Sequence, residues 1–474
     1  MKKILTIFSF SLLTIGITTA QSRLWGTCEF GGSKTWGTIY SADEPGTNFH
    51  KVYSFDSLNG AHPVGNLVLA RNGKLYGVTL EGGYGDSCVI YSFDTITYEV
   101  KNVHDFFIHP QTGYGAFSGL TAANDGKLYG ITNGGGIYDW GVIFSFDPSD
   151  NTYKDIHNFN DSTGASPSGK LLQSNNGKLY GMTPYGGKYN NGVLFSFNPI
   201  DSSYSDVYDF NLTTGGYPDG GLLEANDGKL YGVAPNGGNN IDTSISKYGY
   251  GVLFSFDPSN NIYTDLYNFD MIHGLGTPIT LIQTSNNNLY GLASGGADSS
   301  GVLFSFDINT NTYTDVFDFP YRSGFYPGQS LTQLSNEKII GTSLLGGANM
   351  NGYTFSFDIT NNTFTKLMDF DSLIGEHPSG DILETGNIDY HCSCVLEAVM
   401  NIYPNPANTT ITINQFGDFY NMHILNVLGQ DIYNETITGF HSTLDVSNWS
   451  NGVYICKLSN NKTSIQGKFI IQKP

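Results

Sequence analysis

The phrase "NDGKLYGIT" at residues 124–132 decides the fold, because the chain repeats it as "NNGKLYGMT" at 175–183 and "NDGKLYGVA" at 226–234. Each copy joins an Asn/Asp-Gly pair to an apolar Leu-Tyr-Gly segment. Asn-Gly and Asp-Gly between apolar runs favour a tight hairpin, since both turn residues need positive φ. The phrase therefore predicts a repeated β-hairpin, an architectural unit rather than a catalytic motif.

The Leu-Tyr-Gly marker recurs along most of the chain, with gaps of 51, 53, 51, 51, 59 and 50 residues between successive copies. A Gly-Gly pair and a strand-like phrase follow each marker. Seven copies of about 50 residues predict a repeat architecture. The marker positions are Trp25, Tyr76, Tyr129, Tyr180, Tyr231, Tyr290 and Ile340.

The fifth copy shows the content of one repeat. Its four strand-like phrases are "GLLEA" (221–225), "KLYGVA" (229–234), "GVLFSFD" (251–257) and "IYTDLYNFD" (262–270). In the third phrase Val252, Phe254 and Phe256 point one way and Leu253 points the other, so the sheet must be covered on both faces. Four-stranded sheets covered by their neighbours predict an all-β β-propeller. The Gly of each marker, such as Gly130, is expected to allow close backbone approach.

The two ends of the repeat region complement each other. The chain enters at "SRLWGTC" (22–28), which lacks an inner strand, and leaves at "GDILET" (380–385), an inner strand without a partner. If these segments share one sheet, no open edge remains. We therefore predict a seven-bladed β-propeller closed by the C-terminal inner strand. An open array with capping repeats is the alternative.

The Gly-Gly and aromatic spacing resembles the kelch propeller repeat. The LYG-T/S, Gly-Gly and VF-S/F phrases are more similar to the bacterial Gloeo/Verruco tandem repeat, over roughly residues 24–385. The resemblance implies secretion and a propeller, and it carries no established catalytic residues. The seventh copy departs from the pattern, with Ile339-Ile340-Gly341 in place of Leu-Tyr-Gly.

The last eighty residues differ in kind. "NIYPNPANTTITIN" (401–414), "ILNVLGQDIY" (424–433), "LDVSNWSNGVYICKLSNN" (444–461) and "GKFIIQK" (467–473) are short alternating strands with Asn/Gly turns, which predict a small β-sandwich. They resemble the type A C-terminal sorting domain of the Bacteroidetes type IX secretion system. That resemblance implies recognition by the secretion machinery, passage across the outer membrane, and then release or attachment to the surface.

The first twenty residues predict a signal peptide. Lys2 and Lys3 precede an apolar run from residue 4 to 17, and small residues end at Ala20. The predicted domains are the signal peptide (1–20), the propeller (21–386), a linker (387–399) and the sorting domain (400–474). No later apolar run is long enough for a transmembrane segment. We expect a monomer, exported across the inner membrane and then located at the outer-membrane surface or outside the cell.

Charge and motifs exclude several functions. The 22 Lys and Arg against 42 Asp and Glu give a formal charge of −20, so nucleic acid is not an expected partner. The stretch "GASPSGKL" (164–171) approaches a phosphate-binding loop but has Leu171 where Ser or Thr would hold magnesium. Patterns typical of zinc proteases and serine hydrolases do not occur. No cofactor and no metal are predicted.

Five cysteines fit an oxidising export route. Cys28 lies in the entering strand, and Cys392 and Cys394 follow the leaving strand. A disulfide from Cys28 to Cys392 or Cys394 could lock the ring. Free thiols are the alternative, since Cys88 and Cys456 have no evident partners.

Two sets of loops are expected at one rim of the propeller: the loop after each Gly pair and the loop before each inner strand. The fifth Gly-pair loop is extended to twelve residues, "NNIDTSISKYGY" (239–250), where six others have four. In the second set, the residue before the recurring Pro varies between copies: His62, Ser166, Tyr217, Thr277, Tyr326 and His377, with Ala116 in the copy that lacks the Pro. Variation within a rigid frame indicates a binding site. The candidate residues are Tyr217, Tyr326, Tyr248 and Tyr250 for stacking, and His62 and His377 for polar contacts.

Three functional classes follow. A secreted or surface-attached binding or adhesion module for glycan or protein fits aromatic loops with few ionisable groups. An extracellular polysaccharide-active enzyme would need two carboxylates converging at the rim, which a sequence cannot show. A structural surface-layer role is the third. The catalytic residues of the enzyme alternative are unknown at this stage.

Overall fold

The structure is a computed structural model of the 474-residue chain. It describes residues 22–473 apart from 86, 107–112, 116–117, 241–247, 277–280, 298, 321–325, 386–399, 404–406, 416–420, 427–428, 437–440 and 460–463. The described residues form strands and turns with no helix, so none of them provides a helix that could cross a membrane. Contacts divide the chain into two compact units, residues 1–387 and 388–474. The predicted signal peptide and linker lie outside the described residues.

Unit 1 contains seven antiparallel four-stranded sheets in its described part. Sheet 1 is β3 (Thr47–Ser54), β2 (Thr38–Asp43), β1 (Arg23–Phe30) and β30 (Glu376–Thr385). Sheet 2 is β4 (Ala61–Leu69), β5 (Leu75–Glu81), β6 (Val89–Phe93) and β7 (Val100–Asp105). Sheet 3 is β9 (Thr121–Ala122), β10 (Leu128–Thr132), β12 (Val142–Asp147) and β13 (Thr152–Asn158), beside a ribbon of β8 (Gly113–Tyr114) and β11 (Gly134–Gly135). Sheet 4 is β14 (Leu172–Gln173), β15 (Leu179–Thr183), β16 (Val193–Asn198) and β17 (Ser203–Asp209).

The remaining sheets of unit 1 repeat the same order. Sheet 5 is β18 (Leu223–Glu224), β19 (Leu230–Ala234), β20 (Val252–Asp257) and β21 (Ile262–Asn268). Sheet 6 is β22 (Ile282–Gln283), β23 (Asn288–Ala293), β24 (Val302–Asp307) and β25 (Thr312–Asp318). Sheet 7 is β26 (Tyr326–Gln333), β27 (Lys338–Leu345), β28 (Tyr353–Asp358) and β29 (Thr363–Asp369). Repeated four-stranded sheets of this kind form a propeller-like all-β fold.

The repeated phrase builds the contacts between neighbouring sheets. Leu128 is fully buried among side chains of sheets 2 and 3, whereas Tyr129 packs among those of sheets 3 and 4. In sheet 5, Phe254 likewise faces sheet 4 and Leu253 faces sheet 6. The alternating strands therefore bury both faces, as predicted from the apolar residues at successive positions.

The turn of each phrase is fixed by the tyrosine that follows it. The Tyr129 hydroxyl donates to Asp125 Oδ2 at 2.7 Å, and the Tyr231 hydroxyl donates to Asp227 Oδ2 at 2.9 Å. Where the turn carries Asn, as at Asn176, its amide donates to the Tyr180 hydroxyl at 2.9 Å. The opening phrase is thus a self-capping hairpin, which is an architectural role.

The marker glycine makes room for an aromatic ring rather than for backbone, which corrects the expectation from the sequence. Gly130 pairs with Phe144 across the sheet, and a Cβ on Gly130 would lie 2.3 Å from the tip of that ring. The same ring-over-glycine contact recurs at Gly181 with Phe195 and at Gly232 with Phe254, and in the other sheets. Glycine is required because the facing ring occupies the space that a Cβ would need.

Sheet 1 takes strands from both ends of the repeat region. β30 pairs antiparallel with β1, with Leu24 opposite Glu384 and Trp25 opposite Leu383. The Trp25 indole N–H donates to Thr385 Oγ1 at 2.9 Å in a buried hydrogen bond. The entering segment therefore receives its inner strand from the leaving segment, as the complementary ends predict.

The outermost strands are joined by stacked rings. One ring of each outer strand lies parallel to a ring of the next sheet, with centroids about 4 Å apart in four of the five pairs. The pairs are His104 with Tyr153, His157 with Tyr204, Tyr208 with Tyr263, Tyr267 with Tyr313, and Phe317 with Phe364. This ladder covers sheets 2 to 7.

Unit 2 is built from two antiparallel sheets. The first is β31 (Met400–Tyr403), β32 (Thr410–Gln415) and β35 (His441–Asp445). The second is β34 (Asp431–Thr436), β33 (Asn421–Asn426), β36 (Gly452–Ser459) and β37 (Ser464–Ile471). Both sheets contribute to one buried core, through residues such as Ile411, Leu444, Met422 and Phe469.

Candidate functional site

The Gly-pair rim is the end of unit 1 that carries the loops after each Gly pair and the loops leading into each inner strand. Among the described residues of unit 1, thirteen of the seventeen exposed large apolar side chains lie on this rim. They are Trp36, Leu58, Tyr84, Ile137, Tyr138, Trp140, Tyr185, Tyr189, Tyr248, Met271, Ile272, Met350 and Leu373. The opposite end exposes Ile96, Tyr98, Ile200 and Ile262. The two ends of the unit therefore present different surfaces to solvent.

Each cap of a Gly-pair loop is a side-chain oxygen of an outer strand that accepts a hydrogen bond from a loop backbone N–H. The Ile137 N–H donates to Asn158 Oδ1 at 2.8 Å, and the Ala348 N–H donates to Asp369 Oδ1 at 2.9 Å. Equivalent caps come from Asp105, Asp209, Asn268 and Asp318. Because the caps use the loop backbone, the fold constrains the loop path and not the identity of its side chains.

The variable position before the recurring Pro joins neighbouring sheets through its backbone. The His62 N–H donates to the Trp36 carbonyl at 2.8 Å, and the Ser166 N–H donates to the Trp140 carbonyl at 2.9 Å. Tyr217 and His377 make the same bond to Asn191 and Asn351. These four non-Gly residues have positive φ of 57°, 52°, 54° and 54° in chain order. Such a conformation is costly for residues other than glycine, so the frame imposes it on each side chain at this position.

Sheet 6 shifts this position by one residue. The Gly276 N–H donates to the Tyr250 carbonyl at 2.7 Å, so Gly276 takes the structural place that the sequence pattern gave to Thr277. Thr277 itself lies outside the described residues, as does Ala116 of the third repeat. In this repeat, the residue that makes the inter-sheet bond lies two positions before the Pro instead of directly before it.

His62 and His377, two predicted site residues, lie at one cavity of about 570 Å³. The Phe30 ring lies between them, with its centroid 4.8 Å from that of His62 and 5.3 Å from that of His377. Trp36 forms another wall, with its ring centroid 5.4 Å from the His62 ring. Glu376 and Leu373 also line the cavity. The pairing of β1 with β30 in sheet 1 therefore brings aromatic, imidazole and carboxylate groups together at this cavity.

Glu29 lies next to this cavity in sequence and interacts with His62, which lines it. His62 Nδ1 lies 3.1 Å from the Glu29 carbonyl oxygen, and His62 Nε2 lies 3.8 Å from Glu81 Oε2. Burial raises the pKa of the Glu29 carboxyl, and the nearby His377 and His62 oppose that rise. The site therefore holds a half-buried carboxyl group beside two imidazoles.

The predicted tyrosines separate into different environments. Tyr217 contacts Tyr185 and Tyr248 edge-on, with ring centroids 5.8 and 6.2 Å away. Tyr250 is half-buried and packs against the core shared by sheets 5 to 7. Tyr326 begins β26, but its side chain lies outside the described residues, as does most of the extended fifth loop. Tyr217 and Tyr248 thus form a rim cluster with Tyr185, which sequence reasoning did not select.

Trp36, Tyr138 and Trp140 are the other rim residues absent from the sequence-based set. Tyr138 and Trp140 line a second cavity of about 550 Å³ with Asn160, Asp161 and Ser162. A signal was present in the sequence: Trp36 and Trp140 occupy the last loop position before the strand, where four other repeats carry Ser or Asn and the fifth carries Tyr250. Only the three-dimensional structure shows that both side chains are exposed.

The remaining predictions concern cysteine and metal. Cys28 is fully buried and is not bonded to any described cysteine, and its proposed partners Cys392 and Cys394 lie outside the described residues. The disulfide therefore stays a prediction. Among the described residues, no group of three or more His, Cys, Asp and Glu side chains could hold a metal ion.

Repeated four-stranded sheets followed by a small separate β unit define a propeller-like repeat protein with an added C-terminal module. The Gloeobacter/Verrucomicrobia repeat matches residues 107–248 and 241–390, which is more than half of the chain. The chain therefore belongs to the Gloeobacter/Verrucomicrobia repeat family. The secretion system C-terminal sorting domain matches residues 401–472. This domain supports export through the type IX secretion system to the cell surface or the extracellular space, and it implies interaction with that machinery.

Solved structures agree with the fold. A candidate 6-phosphogluconolactonase from Bacteroides uniformis superimposes with a TM-score of 0.53 at 12% identity, covering 78% of this chain and 100% of its own. A second, from Bacteroides fragilis, gives a TM-score of 0.50 at 14% identity, covering 78% and 99%. At this identity the likeness shows the fold alone. None of the curated proteins matches the chain.

Proposed function

We propose that unit 1 is a closed seven-bladed propeller, exported by its sorting domain, that binds an extracellular glycan or protein through the Gly-pair rim. The concentration of exposed aromatic and apolar side chains at this one rim carries the proposal. Exposed apolar patches on a secreted domain indicate an interaction surface. The absence of Lys and Arg among the described residues that line the two cavities argues against phosphate-rich partners.

Two contacts support closure of the ring. Thr332 Oγ1 of sheet 7 donates to the Ile382 carbonyl of sheet 1 at 2.7 Å, which repeats the bond from Thr121 of sheet 3 to Leu171 of sheet 4. Sheet 7 therefore meets sheet 1 by the same bond as internal neighbours. Lys170 of sheet 4 forms an ion pair with Asp381 of sheet 1 at 3.6 Å. In a ring, the inner strands of these non-adjacent sheets face each other across the axis.

The test is a binding screen of the purified full chain against polysaccharides and extracellular proteins. We expect at least one ligand whose binding weakens in a Tyr185→Ala/Tyr217→Ala double variant or in His62→Ala. A matched Tyr98→Ala variant at the opposite end should bind like the native protein. Ligands that bind all variants equally would contradict recognition through the Gly-pair rim.

A polysaccharide-active enzyme is the second candidate, because the half-buried Glu29 carboxyl lies close enough to His62 and His377, which line one cavity, for both to influence its pKa. A carboxyl whose pKa is raised by burial can donate a proton to a leaving group. New reducing ends or unsaturated products from a bound polysaccharide, lost in Glu29→Gln, would favour this function. Binding without products would favour the binding module.

A further inference from the structure

We propose that Trp36 and Trp140 each form a sugar-binding subsite, and that the ligand of the Gly-pair rim is a neutral polysaccharide that occupies both. This inference rests on the proposed rim-binding function and names its ligand class. The chain has four tryptophans, and two of them occupy this one loop position.

The fold does not require an indole at this position. The contact that joins neighbouring sheets uses only the backbone carbonyl of the tryptophan, which accepts a hydrogen bond from the backbone N–H of His62 or Ser166. Asn191 and Asn351 make the same backbone contact in sheets 4 and 7. Trp36 and Trp140 nevertheless remain 38% and 41% exposed. Two large apolar rings are thus presented to solvent at positions where the repeat accepts a small polar residue.

Each tryptophan lies beside groups that can bind hydroxyls. Trp36 shares its cavity with His62 and His377, whose imidazoles can donate or accept hydrogen bonds. Trp140 shares its cavity with Asp161 and Ser162. An aromatic platform with a few convergent polar groups suits a sugar ring, which has an apolar face and a polar edge. At about 570 and 550 Å³, both cavities lie within the usual range for small ligands.

Charge selects among the glycans. Neither cavity is lined by Lys or Arg in the described part of the chain, and Glu376 and Asp161 place one carboxylate in each. The formal charge of the whole chain is −20. Uronate and sulfated polymers would be repelled both locally and at long range. Neutral hexose polymers meet neither penalty.

Two subsites on one rim also predict a preference for polymer over oligomer. Trp36 belongs to sheet 1 and Trp140 to sheet 3, so each subsite can be filled independently. A ligand long enough to reach both binds the second in an effectively intramolecular step, which increases avidity without new contacts. The separate subsites should bind short oligosaccharides weakly.

The experiment uses the full chain with Trp36→Asn, Trp140→Asn and the double variant. Asn stands at this position in sheets 4 and 7, so these changes should leave the melting temperature unchanged. Titrations would use neutral, anionic (polyuronate) and cationic (aminated) soluble polysaccharides at low and high salt. We expect each single variant to weaken binding of a neutral polymer about tenfold, and the double variant to abolish detectable binding. Tyr98→Ala is the matched aromatic control at the opposite end.

The outcomes separate this inference from the proposed function. Neutral-polymer binding that survives the double variant but is lost in Tyr185→Ala/Tyr217→Ala would overturn the tryptophan subsites and retain the rim. Salt-resistant binding restricted to a charged polymer would overturn the ligand class. If no polysaccharide binds, the inference fails, while an extracellular protein bound through the rim would keep the proposed function. Melting temperatures that fall in the Asn variants would be checked against Trp36→Tyr, which keeps a ring and should keep binding.

Discussion

At the residue scale, glycine is needed in this fold for two separate reasons. The marker glycines face an aromatic ring across the sheet, whereas the turn glycines adopt positive φ, and three of them, Gly73, Gly177 and Gly228, do so in open space. Gly181 would bring a Cβ to 2.5 Å from the Phe195 ring, while Gly177 has φ +84° and no atom within 4 Å of such a Cβ. The two glycines lie in the same hairpin of sheet 4. They therefore allow ring crowding and backbone conformation to be measured separately.

We predict that Gly181→Ala lowers the free energy of unfolding by about 2–3 kcal/mol, because the Phe195 ring must leave its place. Gly177→Ala should lower it by only about 1 kcal/mol, the usual cost of a left-handed non-Gly residue. Chemical unfolding of the two variants measures the difference. Equal losses would show that the ring contact at Gly181 contributes nothing beyond backbone conformation.

At the scale of the elements, the sequence predicted the strands well because their signals are local. The Asn/Asp-Gly turns, the period of two in "GVLFSFD" and the repeat itself define sheets 2 to 7, and the complementary ends at Trp25 and Leu383 define sheet 1. The site was predicted less completely. His62 and His377 are more than three hundred residues apart in sequence, and only the β1–β30 pairing brings them to one cavity. Exposure of Trp36 and Trp140 likewise depends on packing that no local pattern encodes.

The outer-strand ladder predicts a pH dependence of stability. Burial lowers the pKa of His157 to about 4, its ring stacks on Tyr204, and its buried Nε2 has no hydrogen-bond partner in the described part of the chain. The unfolded chain has a histidine pKa of about 6.5 and binds the proton more readily than the folded chain. Stability should therefore be complete above about pH 6.5 and fall as the pH approaches 4.

His157→Tyr should remove part of this dependence. Tyr stands at the same ladder position in sheets 4 and 5, as Tyr208 and Tyr267, so the ring stack is retained. Between about pH 7.5 and pH 5, we expect the native protein to lose on the order of 1 kcal/mol more than the variant, allowing for partial exposure of the ring. Urea unfolding at the two pH values measures this. A variant with the same pH dependence as the native protein would contradict the assignment to His157.

At the scale of the whole molecule, the Lys170–Asp381 ion pair reports on how the sheets of unit 1 are arranged. Burial raises the pKa of Asp381, and Lys170 opposes that rise. The two side chains are 40% and 23% exposed, so the pair is partly screened by solvent. Because it joins sheets 4 and 1, it can form only if the inner strands of these sheets lie near each other.

We predict that Lys170→Met costs about 1 kcal/mol at neutral pH, since it leaves the Asp381 carboxylate without its partner. The loss should shrink as the pH falls through the pKa of Asp381, where the carboxyl becomes neutral in the folded state. Combined with Asp381→Asn, the Lys170→Met change should cost little. Thermal unfolding of the four proteins gives the coupling between the two sites. Lys229→Met, which removes an exposed local pair with Asp227, is the control.

The pairing of β1 with β30 also sets the order in which the protein can mature. Sheet 1 remains incomplete until the final strand of the repeat region has been synthesised. The sorting domain follows that strand in the chain. A polypeptide that ends anywhere within the repeats therefore lacks both β30, which completes sheet 1, and the C-terminal sorting domain. The position of a single strand thus couples completion of the fold to eligibility for secretion.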